Sequence, residues 1–290
     1  MSRLSLLLVL LVVLTAGCNG ISSGSSAPDR DPYGVDDPLE SSLANPGENV
    51  AGLTEAGFQN DTFVRDHHAV LENRSYATTQ TTTATLANGT TVFEGHVSTL
   101  YDRRHNQMLQ TERTRGSWEL NTDGSDLEER TTQLWVDEET ETRISRIEHE
   151  NGSVEFDTGP PRYSRATVYS AVSPLREAAE IAIERETYAD GRYTVVTGTE
   201  PAADSTFLED EPFSARAFIR DDGVVRYAAI NVTIRRDGER VHVDQNYLVE
   251  DIGEVSANRP DWYEEAKEEL EREEQRERTP KAETETEIED

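Results

Sequence analysis

From Ser75 to Ala87 the chain alternates at a period of two, Ser-Tyr-Ala-Thr-Thr-Gln-Thr-Thr-Thr-Ala-Thr-Leu-Ala, and then runs into Asn88-Gly89. Successive side chains of a strand point to opposite faces, so this pattern suits a pleated sheet and no amphipathic helix. Asn-Gly is the preferred tight-hairpin dipeptide, and Thr91, Phe93, Val97, Thr99 and Tyr101 mark a strand returning beside the first. Few folds can absorb such a segment except an antiparallel sheet.

The same signals recur. Strands are expected near Gln107 to Arg113, Ser117 to Asn121, Gln133 to Val136, Thr142 to Ile147 and Ser153 to Phe156, with turns at Asp123-Gly124 and Asn151-Gly152. After Tyr193 to Thr199 a second meander is expected over Ser214 to Arg220, Val224 to Arg236 and Arg240 to Glu250, turned at Asp222-Gly223 and Asp237-Gly238. In it Val224, Ala228, Ile230, Val232 and Ile234 share one face, as do Val241, Val243, Tyr247 and Val249. Two stretches have helical period. Phe63, Val64, His67, Val70 and Leu71 fall on one side of Asp61 to Glu72, behind a cap at Asn60 or Asp61. Ser173 as cap and Pro174 in the first turn precede a stripe of Leu175, Ala178, Ala179, Ala182 and Ile183. Helix, long meander, helix and second meander imply an α+β domain over 49–263, a large curved antiparallel sheet (a half-barrel) wrapping two or more helices. About 210 residues suffice for one core.

The flanks differ in composition. Residues 18–48 are Gly, Ser, Pro, Asp and Asn with hardly an apolar side chain, which suits a disordered tether with a reach of roughly 30 Å. Residues 264–278 are almost wholly charged at helical spacing, a helix expected to pack against nothing, and 279–290 form a disordered acidic tail.

The whole chain carries 58 acidic and 28 basic residues, a formal net charge of −30, and Lys267 and Lys281 are its only lysines. Self-repulsion of that size strains a compact domain in dilute buffer and is screened at molar salt, the signature of a halophilic protein. Nucleic acid is excluded as a partner, since phosphate binding needs a basic surface.

At the other end, Arg3, the apolar run Leu4 to Leu14 and the small residues Thr15, Ala16 and Gly17 lead to Cys18, the only cysteine. A charged start, an apolar stretch short for a bilayer and a small-residue cleavage site are the parts of a secretory signal, 1–17, rather than of a membrane helix. A thiol at the processing point is the nucleophile a lipid transferase needs, so Cys18 is the expected lipidation site. The segment resembles the lipobox of prokaryotic lipoproteins, with the leucine, Leu14, four residues before the cysteine instead of three. By Leu14 to Cys18, by the Thr-rich strands after Ser75-Tyr76 and by Arg259-Pro260-Asp261-Trp262-Tyr263, the chain resembles a family of haloarchaeal surface lipoproteins of unknown activity. That resemblance implies a protein held on the outer face of the cell membrane by its lipid. Five glycosylation triplets, at Asn60, Asn73, Asn88, Asn151 and Asn231, agree with export. In architecture the chain resembles the half-barrels of bacterial lipoprotein carriers and of mycobacterial lipid-binding lipoproteins, which wrap helices around an apolar cavity.

Catalytic patterns are missing from the sequence. His67, His68, His96, His105, His149 and His242 are scattered, and adjacent His67 and His68 point about 100° apart on a helix, so they form no metal pair. No nucleophile elbow, phosphate loop or dinucleotide fingerprint occurs. The expectation is therefore an extracellular binding domain, not an enzyme and without cofactor or metal. It would hold a lipid or other hydrophobic small molecule against Tyr76, Phe93, Tyr101, Trp118 and Trp135. The alternatives are a structural envelope protein with a filled core, where isolated tryptophans at strand period more often belong, and, last, a hydrolase.

Overall fold

The computed structural model describes residues 50, 53–54, 57–58, 60–117, 128–158, 168–208 and 211–278, all within the compact unit Ala44–Asp290. The signal, Cys18, the tether, Trp118, the strand expected to 121, the Asp123-Gly124 turn and the acidic tail lie outside the described residues.

A two-residue pair, β1 (Leu53–Thr54) and β2 (Gly57–Phe58), precedes α1 (Asn60–Leu71). The first meander follows as β3 (Tyr76–Leu86), β4 (Thr91–Asp102), β5 (Gln107–Gly116), β6 (Glu129–Asp137), β7 (Thr142–His149) and β8 (Val154–Thr158). After α2 (Val168–Arg176) comes the second, β9 (Ile181–Tyr188), β10 (Gly191–Gly198), β11 (Ser214–Arg220), β12 (Val225–Arg236) and β13 (Glu239–Glu250). The last described element is α3 (Tyr263–Arg278). The two meanders form one open sheet of 11 strands in the order β8-β7-β6-β5-β4-β3-β13-β12-β11-β10-β9, antiparallel at every step. The chain thus enters the sheet at its centre, meanders to one edge, crosses to the other and meanders back to close beside its own first strand. The fold is an α+β half-barrel.

The helices define an inner face. In α1, Phe63, His67 and Leu71 recur every four residues and are buried, the helical period expected from the sequence. From α2, Ala171, Val172 and Leu175 pack into the same core, against Val196, Ala217, Ala228 and Tyr247 on the inner face of β10 to β13. Gly198 lies so close beneath α2 that a Cβ there would stand 2.6 Å from that of Ala178.

Three expectations are corrected. The second helix starts earlier and stops sooner: Pro174 sits inside α2, and the stripe Ala178, Ala179, Ala182, Ile183 is not helical. Proline removes the N–H that would bond Ser170, and the Ser173 hydroxyl donates to that carbonyl at 3.4 Å instead. Ile181 and Ile183 then pair with Gly198 and Val196 as an edge strand, where β-branched side chains fit better than in a helix. The acidic helix does pack: α3 lies against β7 and β8, with Ala266 fully buried. One small residue lets the backbone approach, and Leu270 and the stem of Lys267 line a cavity of about 340 Å³ with Ile144 and Thr158. Finally, Asn88-Gly89 does not make a two-residue turn. Leu86 and Thr90 bracket a three-residue loop in which Gly89 alone is left-handed (φ 86°), whereas Asp237-Gly238, with both residues left-handed, is the two-residue form.

Candidate functional site

Strand register sorts every residue of the first meander onto one face, because direct partners across an antiparallel pair share a side. One inner row runs Tyr76, Tyr101, Met108, Val136, Arg143, and the next runs Val249, Thr78, Thr99, Gln110, Leu134, Ser145. A third holds Gln80, Val97, Glu112, Thr132 and Ile147, and a fourth Thr82, Gly95, Thr114, Arg130 and His149.

This half of the inner face differs from the half beneath α2. There the buried strand residues are mostly Val, Ile, Ala and Tyr, with Thr194 and Gln245 among them. Here Met108, Leu134 and Val136 form a second, separate cluster with Tyr101, whose ring lies 5.4 Å from that of Tyr76. Interleaved with them are buried polar side chains, Thr78, Thr82, Thr99 and Ser145. The Oε1 of Gln110 is shielded from solvent with no hydrogen-bond partner. An acceptor left so costs about 1–3 kcal/mol unless something donates to it. Gln245, by contrast, is satisfied through its Nε2, which donates to Ser170 Oγ of α2 at 3.1 Å. The rows run from the largely apolar Tyr76, Tyr101, Met108 and Val136, with Arg143 at the end, to Arg130 and His149, where a cleft of about 590 Å³ opens among Glu128, Glu129, Asn151 and Glu155. His149 Nε2 stands 3.4 Å from Glu155 Oε1. Among the described residues no group of three acidic, His or Cys side chains is placed to hold a metal.

The structure brings together Tyr76 and Tyr101 of the residues expected to meet a ligand. Phe93 shares their face, with its ring 2.9 Å from where a Cβ of Gly95 would lie, and packs toward the main core. Trp135 does not join them. It belongs to the outer row Ala77, Leu100, Leu109, Trp135, Ile144, Thr158, fully buried on the side that receives α3. Trp135→Ala is therefore expected to cost about 3–5 kcal/mol of stability by urea denaturation while leaving any ligand on the inner face in place.

Of the sequon asparagines, Asn60 begins α1, Asn73 follows it, Asn88 and Asn151 sit in hairpin turns and Asn231 lies within β12. Two features escaped sequence reasoning. One is that His67, on the apolar face of α1 as the sequence places it, accepts the Val225 N–H on its buried Nδ1 at 3.1 Å, tying α1 to β12. Asp102 closes the β4–β5 turn, accepting from Arg104 N–H and pairing with His105 Nδ1 at 2.8 Å. Burial alone would raise its pKa, but these bonds outweigh it and hold the carboxyl below its ordinary value. Ser75, beside this turn, accepts the Arg103 N–H, so the Asp-His pair is accounted for as turn structure.

No known protein-family profile matches the chain, and no curated protein matches it. Solved structures similar to it include a DUF1329-family protein from Desulfovibrio piger, at 9% identity and TM-score 0.25 over 70% of this chain and 94% of that one. A putative outer membrane lipoprotein-sorting protein domain from Vibrio parahaemolyticus aligns at 9% identity and TM-score 0.23, over 74% of this chain and 98% of that one. A beta-barrel-like protein of unknown function from Brucella abortus gives 9% identity and TM-score 0.21 over 61% and 98%. Likenesses this distant leave the function to be argued from the molecule itself.

Proposed function

We propose that the protein is a binding domain that holds an amphiphilic small molecule on the inner face of β3 to β7, and that it does so outside the cell, tethered to the membrane by a lipid on Cys18. The observation that carries this reading is the division of one sheet face into two halves. The half under α2 is a mainly apolar core in which the buried polar groups of His67 and Gln245 have partners. The other combines Tyr101, Met108, Leu134 and Val136, bordered by Tyr76 of the main core, with buried Thr and Ser hydroxyls and the unpartnered Gln110 acceptor. A core gains nothing from such polar atoms, whereas a ligand site uses a few of them to orient an otherwise apolar guest. The alkyl part would lie at the Tyr101 end and the head toward Arg130 and His149, with a hydroxyl or amide donating to Gln110. No catalytic step is assigned to the domain. No helix among the described residues is long and apolar enough to cross a membrane.

The test is organic extraction and mass spectrometry of the full chain purified from its own cells in high salt, with uptake of a fluorescent fatty acid measured in parallel. A stoichiometric amphiphile is expected. Tyr101→Ala should weaken fatty-acid uptake about 10-fold, the equivalent of about 1.4 kcal/mol, with the near-ultraviolet spectrum otherwise retained. A protein that yields no extract and takes up no probe would be a structural component of the envelope.

A further inference from the structure

Two of the five glycosylation triplets, Asn88-Gly89-Thr90 and Asn151-Gly152-Ser153, share one geometry. In each, the asparagine Oδ1 accepts the N–H of the hydroxyl residue, Thr90 at 2.9 Å and Ser153 at 2.8 Å. The glycine between them is left-handed, with φ 86° and 77°, and all six residues are exposed. The bond engages Oδ1 and leaves the amide nitrogen, the atom that would carry a sugar, outside it. Because Thr82, Gly95, Thr114, Arg130 and His149 lie in one row, the β3–β4 and β7–β8 hairpins project from the same end of the sheet.

Two other triplets have the reverse arrangement. In Asn73-Arg74-Ser75 the serine is 4% exposed and its Oγ accepts the Arg103 N–H at 3.0 Å. In Asn231-Val232-Thr233 the threonine is 5% exposed, and Asn231 Nδ2 already donates to Asp244 Oδ1 at 2.7 Å across the β12–β13 pair. An enzyme that attaches a glycan must reach both the amide and the hydroxyl two residues on. In the folded domain it can do so at Asn88 and Asn151 and not at Asn73 or Asn231.

We infer that Asn88 and Asn151 are N-glycan acceptors of the folded chain, with a lipid-phosphate-linked oligosaccharide as donor. The amide nitrogen attacks the anomeric carbon, the N–C bond forms as the C–O bond to phosphate breaks, the lipid phosphate leaves and the amide gives up one proton. The inference rests on the exported location proposed above and is independent of the ligand. Glycopeptide mass spectrometry of the full chain from its own cells should find Asn88 and Asn151 occupied and Asn73 and Asn231 bare. N88Q and N151Q should each remove the mass of one glycan, and N88Q, which lies away from the cleft, should leave fatty-acid uptake unchanged. Bare asparagines at 88 and 151 would overturn the inference. So would equal occupancy at Asn73 or Asn231, which would mean that modification precedes folding and the geometry selects nothing. Neither result bears on whether the inner face binds an amphiphile.

Discussion

Lowering the pH from 6.5 to 4.5 at constant high salt is expected to remove roughly 2–3 kcal/mol from the stability of the domain, about 1.4 kcal/mol per pH unit, through His67 alone. The ring is 1% exposed in the core of α1, with His68 and Tyr247 rings at 5.4 and 6.4 Å and the Val225 N–H on its Nδ1. Burial, then the neighbouring His68, lowers its pKa from 6.5 to about 3, only partly opposed by Asp222. Because the folded value lies below the unfolded one, the unfolded chain binds the proton first. Stability is full above pH 6.5 and falls as the pH drops toward 3. Protonation would also put a donor where Val225 needs an acceptor. Carboxylates that the fold holds below their ordinary values, Asp102, Asp222 and Glu177, lose their contribution mainly at lower pH, below about 4.5. Comparison with a variant that lacks only this imidazole isolates its contribution. Urea midpoints across the window from 6.5 to 4.5 should slope more steeply in the native chain than in His67→Gln, which can still accept from Val225 but cannot titrate. Equal slopes in the two would refute the buried neutral imidazole.

How far these features were legible in the sequence depends on whether a local pattern had one physical meaning. Phe63, His67 and Leu71 repeat at the helical period and nothing competes, so α1 is found within one residue at each end. The long strands are equally plain wherever one face is wet, as in β13, where Val241, Val243, Gln245, Tyr247 and Val249 are the buried residues in strict alternation. The pattern fails where both faces are covered. Leu134 to Asp137 are all buried, so the end of β6 carries no parity signal, and only the register with Leu109 and Ile144 assigns Trp135 to the outer face. It fails again at Ala178 to Ile183, where small residues suit either a helix or an edge strand and tertiary pairing with β10 decides. It fails for α3 because a nearly all-charged helix has no apolar stripe, and the single buried Ala266 is too weak a signal to see in sequence. The candidate site was half legible. Tyr76 and Tyr101 stand out as aromatic residues of alternating strands, but the buried Thr and Gln side chains that distinguish a binding face from a core are ordinary strand residues until their burial is known.

The second large effect is that of salt. With 58 acidic and 28 basic residues, attraction cannot neutralise the surface however the arginines are arranged. Ion pairs among the described residues include Arg216 with Glu186, Arg146 with Glu148, Arg240 with Glu211, and Arg74 and Arg220 both on Asp222. Most are partly exposed and contribute little each. The acidic residues in excess repel one another over a Debye length of about 30 Å at 0.01 M salt, comparable to the domain itself, and over only about 3 Å at 1 M. Raising KCl from 0.01 to 1 M at neutral pH should therefore raise the thermal midpoint by on the order of 10 °C, as expected for several kcal/mol in a domain of this size. The shape of the curve identifies the cause. Screening acts mostly below about 0.3 M and then levels off, whereas salting-out of apolar surface grows steadily with concentration and is stronger for sulfate than for chloride at equal ionic strength. A steep early rise common to both salts is the expected result. A midpoint that stays put between 0.01 and 0.3 M, or a rise that begins only at molar sulfate, would mean that repulsion among these carboxylates does not limit the fold, and the halophilic reading of the composition would fall with it.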